Sequence, residues 1–577
     1  MLGRDISRRQ FLRITACGVG AFALSGLLQA CGGDDDDDDS DGETSGGSVD
    51  NPAPTATSAD EGDDDEVATE AEEEATEAAE VEDEGDEVDK GGSAEASDAT
   101  VVVATIDAFQ SLDPHFTKRP MAKSFAMLIM ERLVEPAGPD DLSIVPKLAT
   151  AWEVADDATT WTFTLREGVV FHDGEPFNAE AVVYSLERMR DPDVGGTEVT
   201  RISILDTAEA TDELTVTLKT KTPYAEFLLN LSDPAVLMFS PTWAAARDTA
   251  DYGREPVGTG PFKFDRWLGP EEAVVVPFEN YWGEPPKVGR IIGRQIPDAG
   301  ALVAALEAGE VDVTMDVPPS EVERLRSNPD LVVTEWDGSS TNTMGCLTTK
   351  EPFNHVPVRK ALNHAIDKQT ICDTIFSGLA RPTTTPLYPG NMYRVELGPY
   401  EYNPELAREL LAEAGYPDGF NTKILLPSTS PTMEACQAIA QYFEAIGVKA
   451  ELQIVEDAVW SQLVRAHDDE RDLFYQAKSG IGVDYNLNRL YSDEYIDEDN
   501  RGRWVNERVL ELLDLGRKTF DEDERQEIYG EIQQIIWEEA VEIFLWSRVN
   551  VVVANAKVDN VPVVHDRMII NNVTKSA

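Results

Sequence analysis

The chain of 577 residues carries little that could do covalent chemistry. It has no Gly-x-Ser-x-Gly elbow, no His-Glu-x-x-His and no Cys-x-x-Cys. Its six histidines, His115, His172, His355, His364, His467 and His565, are dispersed. His172 precedes Asp173-Gly174, which is turn chemistry rather than a metal-ligand spacing. Cys346, Cys372 and Cys436 allow one disulfide at most, and their spacing does not choose it. Pro256-Val257-Gly258-Thr259-Gly260-Pro261-Phe262 has the glycines of a phosphate loop. It lacks the Lys-Ser/Thr pair and the dinucleotide spacing, and fits a tight crossing between strands instead. The Asp34–Asp39 run could hold calcium only within a shaped loop, which a solvated acidic run does not make. No catalytic residue, cofactor or metal site is expected. What remains is recognition: Trp336 could stack on a ligand, and Asn342 could hydrogen-bond one.

Charge narrows the partners. There are 109 acidic and 48 basic side chains, a formal net charge of -61. A nucleic-acid partner needs clustered Lys and Arg to neutralise phosphates, so none is expected. The excess is partly local. Residues 32–98 hold 29 acids, one lysine (Lys90) and no aromatic residue. Such a segment cannot bury enough surface to offset ordering entropy, and its like charges extend it. From residue 99 the composition is globular but still carries about -36. An acidic, lysine-poor surface suits high-salt surroundings, where screening quenches self-repulsion.

The elements that must position any site alternate between strand and helix. Trp161, Phe163 and Leu165 alternate with threonines, predicting a half-buried strand between turns at Asp156-Asp157 and His172-Asp173-Gly174. Asn178 caps the next helix, with Phe177 and Val182 as its hydrophobic staple. Strands are expected at 100–104, 212–218, 311–313, 424–426 and 449–455. Helices are expected at 121–133 (amphipathic), 301–308 (short and apolar, closed by Gly309), 435–446 (ending at Gly447) and, amphipathic again, within 506–557. Leu362, Ala365 and Ile366 share one helix face.

The N-terminus looks like a targeting segment. Ser7-Arg8-Arg9-Gln10-Phe11-Leu12 resembles a twin-arginine export signal. The apolar run that follows ends in Leu27-Leu28-Gln29-Ala30-Cys31-Gly32, which resembles a lipobox with lipid on Cys31. The run is short for a membrane span.

The stretch Pro146–Arg188 closely resembles the signature of the extracytoplasmic solute-binding proteins of family 5, the peptide- and nickel-type components of ABC importers. The residues that carry it are Leu148-Ala149, Trp152-Glu153, Trp161-Thr162-Phe163, Leu165-Arg166, Gly168-Val169, Phe171-His172-Asp173-Gly174, Pro176-Phe177-Asn178-Ala179-Glu180 and Val183-Tyr184-Ser185-Leu186. Further matches are Leu112-Asp113-Pro114-His115, a loop near the ligand cleft in that family, and Pro223–Leu228, which opens a helix. The 256–262 loop, Val358–Lys368 and Ala407–Tyr416 also match. The resemblance implies an α/β, two-lobed fold of the periplasmic-binding-protein type (type II), with an extra α/β subdomain and hinge closure over the ligand. It divides the chain into a signal (1–31), an acidic tether (32–98), lobe I (99–134 and 255–344, with a return at 541–577), the extra subdomain (135–254) and lobe II (345–540). It also implies solute capture, most simply of a di- or oligopeptide, and delivery to an ABC permease and ATPase from the outer face of the cell membrane. A nickel chelate or an oligosaccharide is the alternative within the fold; an exported hydrolase or a ligand sensor is the alternative outside it. In peptide-binding members the Asp of an Asp-Tyr-Asn run pairs with the ligand's ammonium group. Here that residue is Asp484, beside Tyr485 and Asn486, with Ile481 where those members carry Trp.

Overall fold

Two long strands, Leu331–Cys346 and Ile543–Asn555, run antiparallel through the middle of the molecule. The structure, a computed structural model, describes residues 97–107, 111–138, 141–268, 272–466, 470–480, 482–564 and 567–576. The expected signal, Cys31, the tether to residue 96, His467, Ile481 and His565 lie outside these residues.

The two long strands belong to one eleven-stranded sheet. Towards one end Ile543–Asn555 pairs with Val313–Thr314. From there the sheet continues through Ser97–Thr105, Val288–Gln295, Glu272–Pro277 and Phe262–Trp267. Towards the other end Leu331–Cys346 pairs with Leu473–Ser479, and Asn421–Pro427 and Lys449–Val455 follow in parallel. Each half carries its own apolar core: Val101, Phe125, Phe262 and Ile291 in the first, Phe353, Leu362, Ile439 and Trp546 in the second. The lobe boundary expected near Gly345 therefore falls inside a continuous strand. Register shifts at Asp337/Thr341 and Asn342/Thr343 mark where the strands bulge between the lobes.

A separate four-stranded antiparallel sheet, ordered Ala149–Val154, Thr160–Leu165, Thr215–Thr220, Leu205–Asp212, builds the extra subdomain. Trp161, Phe163 and Leu165 are buried while the threonines between them are not. Burying each such side chain stabilises by roughly 1.5–3 kcal/mol. Asp157 makes the turn, accepting the N–H groups of Thr159 and Thr160 at 2.9 Å. Asn178 accepts the Ala181 N–H at 3.0 Å and so caps the helix Ala179–Arg190, with Phe177 and Val182 buried in one core. The strand expected at 212–218 starts later, at Thr215. Asp212 instead accepts the Leu214 N–H at 2.9 Å and closes the hairpin, a local bond that period-2 counting does not register.

One further expectation changes. The helix at 121–133 runs Pro120–Ile129 and is buried all round from Met121 to Ile129, including Lys123, which meets Glu198 at 3.1 Å. It is a central helix, not an amphipathic surface one. The Asp113–His115 loop is held by buried charge. Asp113 forms a buried pair with Arg188 at 2.6 Å, and Arg188 also donates to His115 Nδ1 at 2.8 Å. Cys346, Cys372 and Cys436 are all free and buried, and burial pushes each thiol up to about 12.

The 256–262 loop joins the subdomain to the first lobe. A Cβ on Gly258 would lie 2.2 Å from the Ile129 carbonyl oxygen, and one on Gly260 2.4 Å from that of Leu128. Thr259 between them donates to the buried Glu131 at 2.9 Å, as do Tyr281 (2.9 Å) and Trp282 (2.8 Å). His172 Nε2 donates to the Gly260 carbonyl at 2.9 Å, and burial holds its imidazole neutral, lowered to about 4. This histidine fixes a backbone crossing.

On its far side the subdomain docks on the second lobe through one buried carboxylate. Glu226 accepts the N–H groups of Val483 (3.2 Å) and Asp484 (3.0 Å) at the start of the helix Val483–Tyr491, and Arg525 Nη2 at 2.7 Å. Asp484 in turn meets Arg517 Nε at 3.3 Å, and Arg525 donates to the Tyr393 hydroxyl at 3.0 Å. Burial above all, together with the neighbouring Asp484, raises Glu226 from 4.5 to a net value of about 7 against the opposing pull of Arg525 and the two N–H groups.

Two outcomes are expected. Gly258→Ala should cost about 2–3 kcal/mol, because the clash is with backbone that cannot rotate away; equal stability to chemical denaturation would contradict the crossing. A carboxyl raised by folding binds its proton more tightly folded than unfolded. Its stabilising contribution is full below about 4.5 and is lost as pH rises to about 7. The stability of the parent relative to Glu226→Gln should therefore fall between pH 4.5 and 7 and level off above. A difference in melting temperature that stays constant over pH 4.5–8 would contradict it.

Candidate functional site

The bulged middle of the two long strands is the floor of a cleft between the lobes. Pairing is offset there because Gly338 lets the chain approach its partner: a Cβ on it would lie 2.6 Å from the Arg548 carbonyl oxygen. Two cavities open on this floor and share Val549.

The first, ≈ 390 Å³, is lined by Trp336, Asp337, Ser339, Arg381, Tyr388 and Val549, among others. Arg381 and Asp337 pair across two strands, Ala380–Pro382 and Leu331–Cys346, that flank Ile543–Asn555. Trp336 gives the cavity an aromatic wall. The second, ≈ 330 Å³, takes Thr105, Asp107, Ser124 and Asp316 from the first lobe and Ser340 and Arg548 from the long strands. Together they fall in the size range of small-molecule sites. The middle of the two long strands supplies Asp337, Ser339, Ser340 and Arg548, so the shared sheet fixes these positions.

A third, smaller cavity of ≈ 220 Å³ lies between the subdomain and the second lobe. It is lined by Thr200, Lys221, Asp484, Tyr485, Arg489 and Arg517, among others. Here Asp484 is 2% exposed and its carboxylate is met by Arg517. Tyr485 lies between the guanidinium groups of Arg201, 4.8 Å from the ring centroid, and Arg489, 5.0 Å away.

The four residues singled out in the sequence thus part company. Asp484 and Tyr485 share the subdomain-facing pocket, and Trp336 lines the cleft. Asn342, 3% exposed, lies in the sheet: its amide donates to the Trp546 carbonyl at 3.3 Å and accepts the Tyr475 hydroxyl at 2.6 Å. Asn342 braces the second lobe's core. Sequence inspection missed Arg548, Asp316, Ser340 and Arg381. A lone Arg in a strand or a lone Asp just after one carries no local sign of the cavity it lines; only pairing across hundreds of residues puts them together.

This architecture has many solved counterparts. HbpA2 from Haemophilus parasuis aligns with a TM-score of 0.75 and 27% identity over 83% of this chain and 100% of that one. The periplasmic binding protein DppA from Helicobacter pylori, in complex with peptide STSA, aligns with a TM-score of 0.72 and 27% identity over 83% and 98%. In sequence, the glutathione-binding protein GsiB of Pectobacterium atrosepticum is 32% identical over 472 residues, 80% of this chain and 90% of that protein. These relatives are solute-binding proteins, not enzymes. Among the described residues no helix is long and apolar enough to cross a membrane. The profile of bacterial extracellular solute-binding proteins, family 5 (middle), matches residues 143–495, and the chain belongs to that family.

Proposed function

We propose that this protein captures short peptides outside the cell and hands them to an ABC permease and its ATPase. The observation that carries the peptide reading is the extent of the likeness to GsiB, named for glutathione, a tripeptide: 32% identity across 90% of that protein. The peptide complex of DppA, 27% identical over nearly its full length, adds to it. The cleft is consistent with such a solute. It offers an aromatic wall at Trp336, hydroxyls at Ser339, Ser340 and Tyr388, and charges of both signs. The chemistry is non-covalent: solute entering the cleft is enclosed as the lobes close over the long strands, and the closed form is what a permease would recognise.

On this reading residues 135–254 are the extra subdomain, 99–134 and 255–344 the body of lobe I, 345–540 lobe II, and 541–577 the return. The finer localisation belongs to the proposal too: export on the twin-arginine signal, lipid on Cys31, and an acidic tether that holds the lobes off the membrane surface.

Native mass spectrometry of the purified protein, followed by denaturation to release its cargo, tests the peptide assignment. A heterogeneous set of short peptides is expected. A single sugar or a nickel chelate as the released species would overturn it and leave the solute-binding fold standing.

A further inference from the structure

A chain outside the cell can take an N-linked glycan at Asn-x-Ser/Thr, where x is not proline. The sequence contains two such triplets, Asn230-Leu231-Ser232 and Asn572-Val573-Thr574. A triplet alone is a common accident of composition. Geometry separates an acceptor from an accident: the amide nitrogen and the hydroxyl two residues on must both be free, and must face outward together.

Asn572 meets those conditions. The Val573 N–H donates to the Ile570 carbonyl at 3.3 Å and closes a turn with Asn571 and Asn572 at its corners. Ile570 and Val573 are fully buried in the first lobe's core, so the turn is pinned from both ends. Exposure then alternates: Asn572 is exposed, Val573 buried, and Thr574 half-buried at the start of the short strand Thr574–Lys575. Side chains two apart share one side of an extended chain, so an inward Val573 leaves Asn572 and Thr574 outward together. The Asn560 amide donates to the Asn572 carbonyl at 2.8 Å and fixes the backbone there. No described residue engages the Asn572 side-chain amide or the Thr574 hydroxyl.

Asn230 fails on each count. It is half-buried in the helix Phe227–Leu231 and lines the ≈ 220 Å³ cavity between the subdomain and the second lobe. Ser232 is fully buried, and its hydroxyl donates to the Leu229 carbonyl at 2.7 Å. A sugar on Asn230 would have to enter a packed interface.

We propose that Asn572 is an acceptor for an N-linked glycan and that Asn230 is not. The donor is an oligosaccharide carried on a polyprenyl phosphate or pyrophosphate. Asn572 Nδ2 bonds to the anomeric carbon of the first sugar. The bond from that carbon to the phosphate oxygen breaks, the lipid-linked phosphate leaves, and the amide gives up one of its two protons. The Thr574 hydroxyl is a positioning group: serine preserves it and alanine removes it. The proposal rests on the extracytoplasmic location of the family and not on the peptide reading.

The acceptor is set apart from the solute. None of residues 571–574 lines any of the three cavities described above. Lys575, next in the chain, donates to the Thr100 carbonyl and to Asp312, each at 2.8 Å, so the triplet lies beside the first strand, Ser97–Thr105. A hydrated glycan there covers the C-terminal strand pair, Val558–Asp559 with Thr574–Lys575, and leaves the cleft cavities open.

Peptide mapping by mass spectrometry, on protein purified from the organism that makes it, tests this. The peptide holding Asn572 should carry a mass increase of whole sugar residues that disappears on release of N-linked glycans, and the peptide holding Asn230 should be unmodified. Expressed in the same organism, Asn572→Gln and Thr574→Ala should lose the glycan and migrate faster on denaturing gels. Thr574→Ser should keep it, and Asn230→Gln should migrate with the parent. Mapping the parent needs no variant and so stands whether or not a variant folds. An Asn572 peptide found only at its unmodified mass would overturn the proposal. So would sugar on Asn230, or sugar on the 572–574 peptide that survives Asn572→Gln.

Discussion

Everything in this molecule hangs on two strands that both lobes share. Leu331–Cys346 and Ile543–Asn555 pair with each other along nearly their whole length and with one lobe's sheet at either end. A backbone ladder of that length cannot be broken without exposing polar groups, so the lobes move only by twisting where the ladder is already weak. That place is the offset between Asp337 and Thr341, where Gly338 sits against the Arg548 carbonyl. The same offset forms the floor of both cleft cavities. The cleft cavities and the weak point of the ladder are thus one piece of structure, so a ligand held there would bias the position of two large bodies.

A second constraint is electrostatic. The chain is strongly acidic, and several of its buried charges are paired: Asp113 with Arg188, Glu226 with Arg525, Lys478 with Glu542. Removing one partner from such a pair costs far more than the pair itself contributes. Glu226 shows what these pairs accomplish. It spends its oxygens on two backbone N–H groups and a guanidinium of the second lobe, and so ties the extra subdomain to the lobe opposite.

Local rules made much of the fold legible. The alternation of Trp161, Phe163 and Leu165, the Asn178 cap, and the positive-φ glycines Gly309 and Gly447 that end their helices are decided within a few residues of chain. The strand Lys449–Val455 was expected with the bounds it has. What local rules leave out is what a distant partner decides. Asn342 reads as a polar residue at a lobe boundary until Trp546 and Tyr475 pair with it. Asp484 reads as a carboxylate in a closed cleft, and nothing near it in sequence announces Arg517 and Glu226, 33 and 258 residues away. The helix Pro120–Ile129 looks amphipathic because Lys123 and Ser124 are polar, but Glu198 accepts one and the Pro120 carbonyl the other, and both are buried.

The central claim is that solute in the cleft draws two lobes together about the shared strands. Spin labels at Glu323→Cys in the first lobe and Glu413→Cys in the second, both on exposed helices, measure it by pulsed electron resonance. Addition of trialanine should shift the interlabel distance to a shorter, narrower distribution. A distribution that stays the same with the peptide bound would contradict the account.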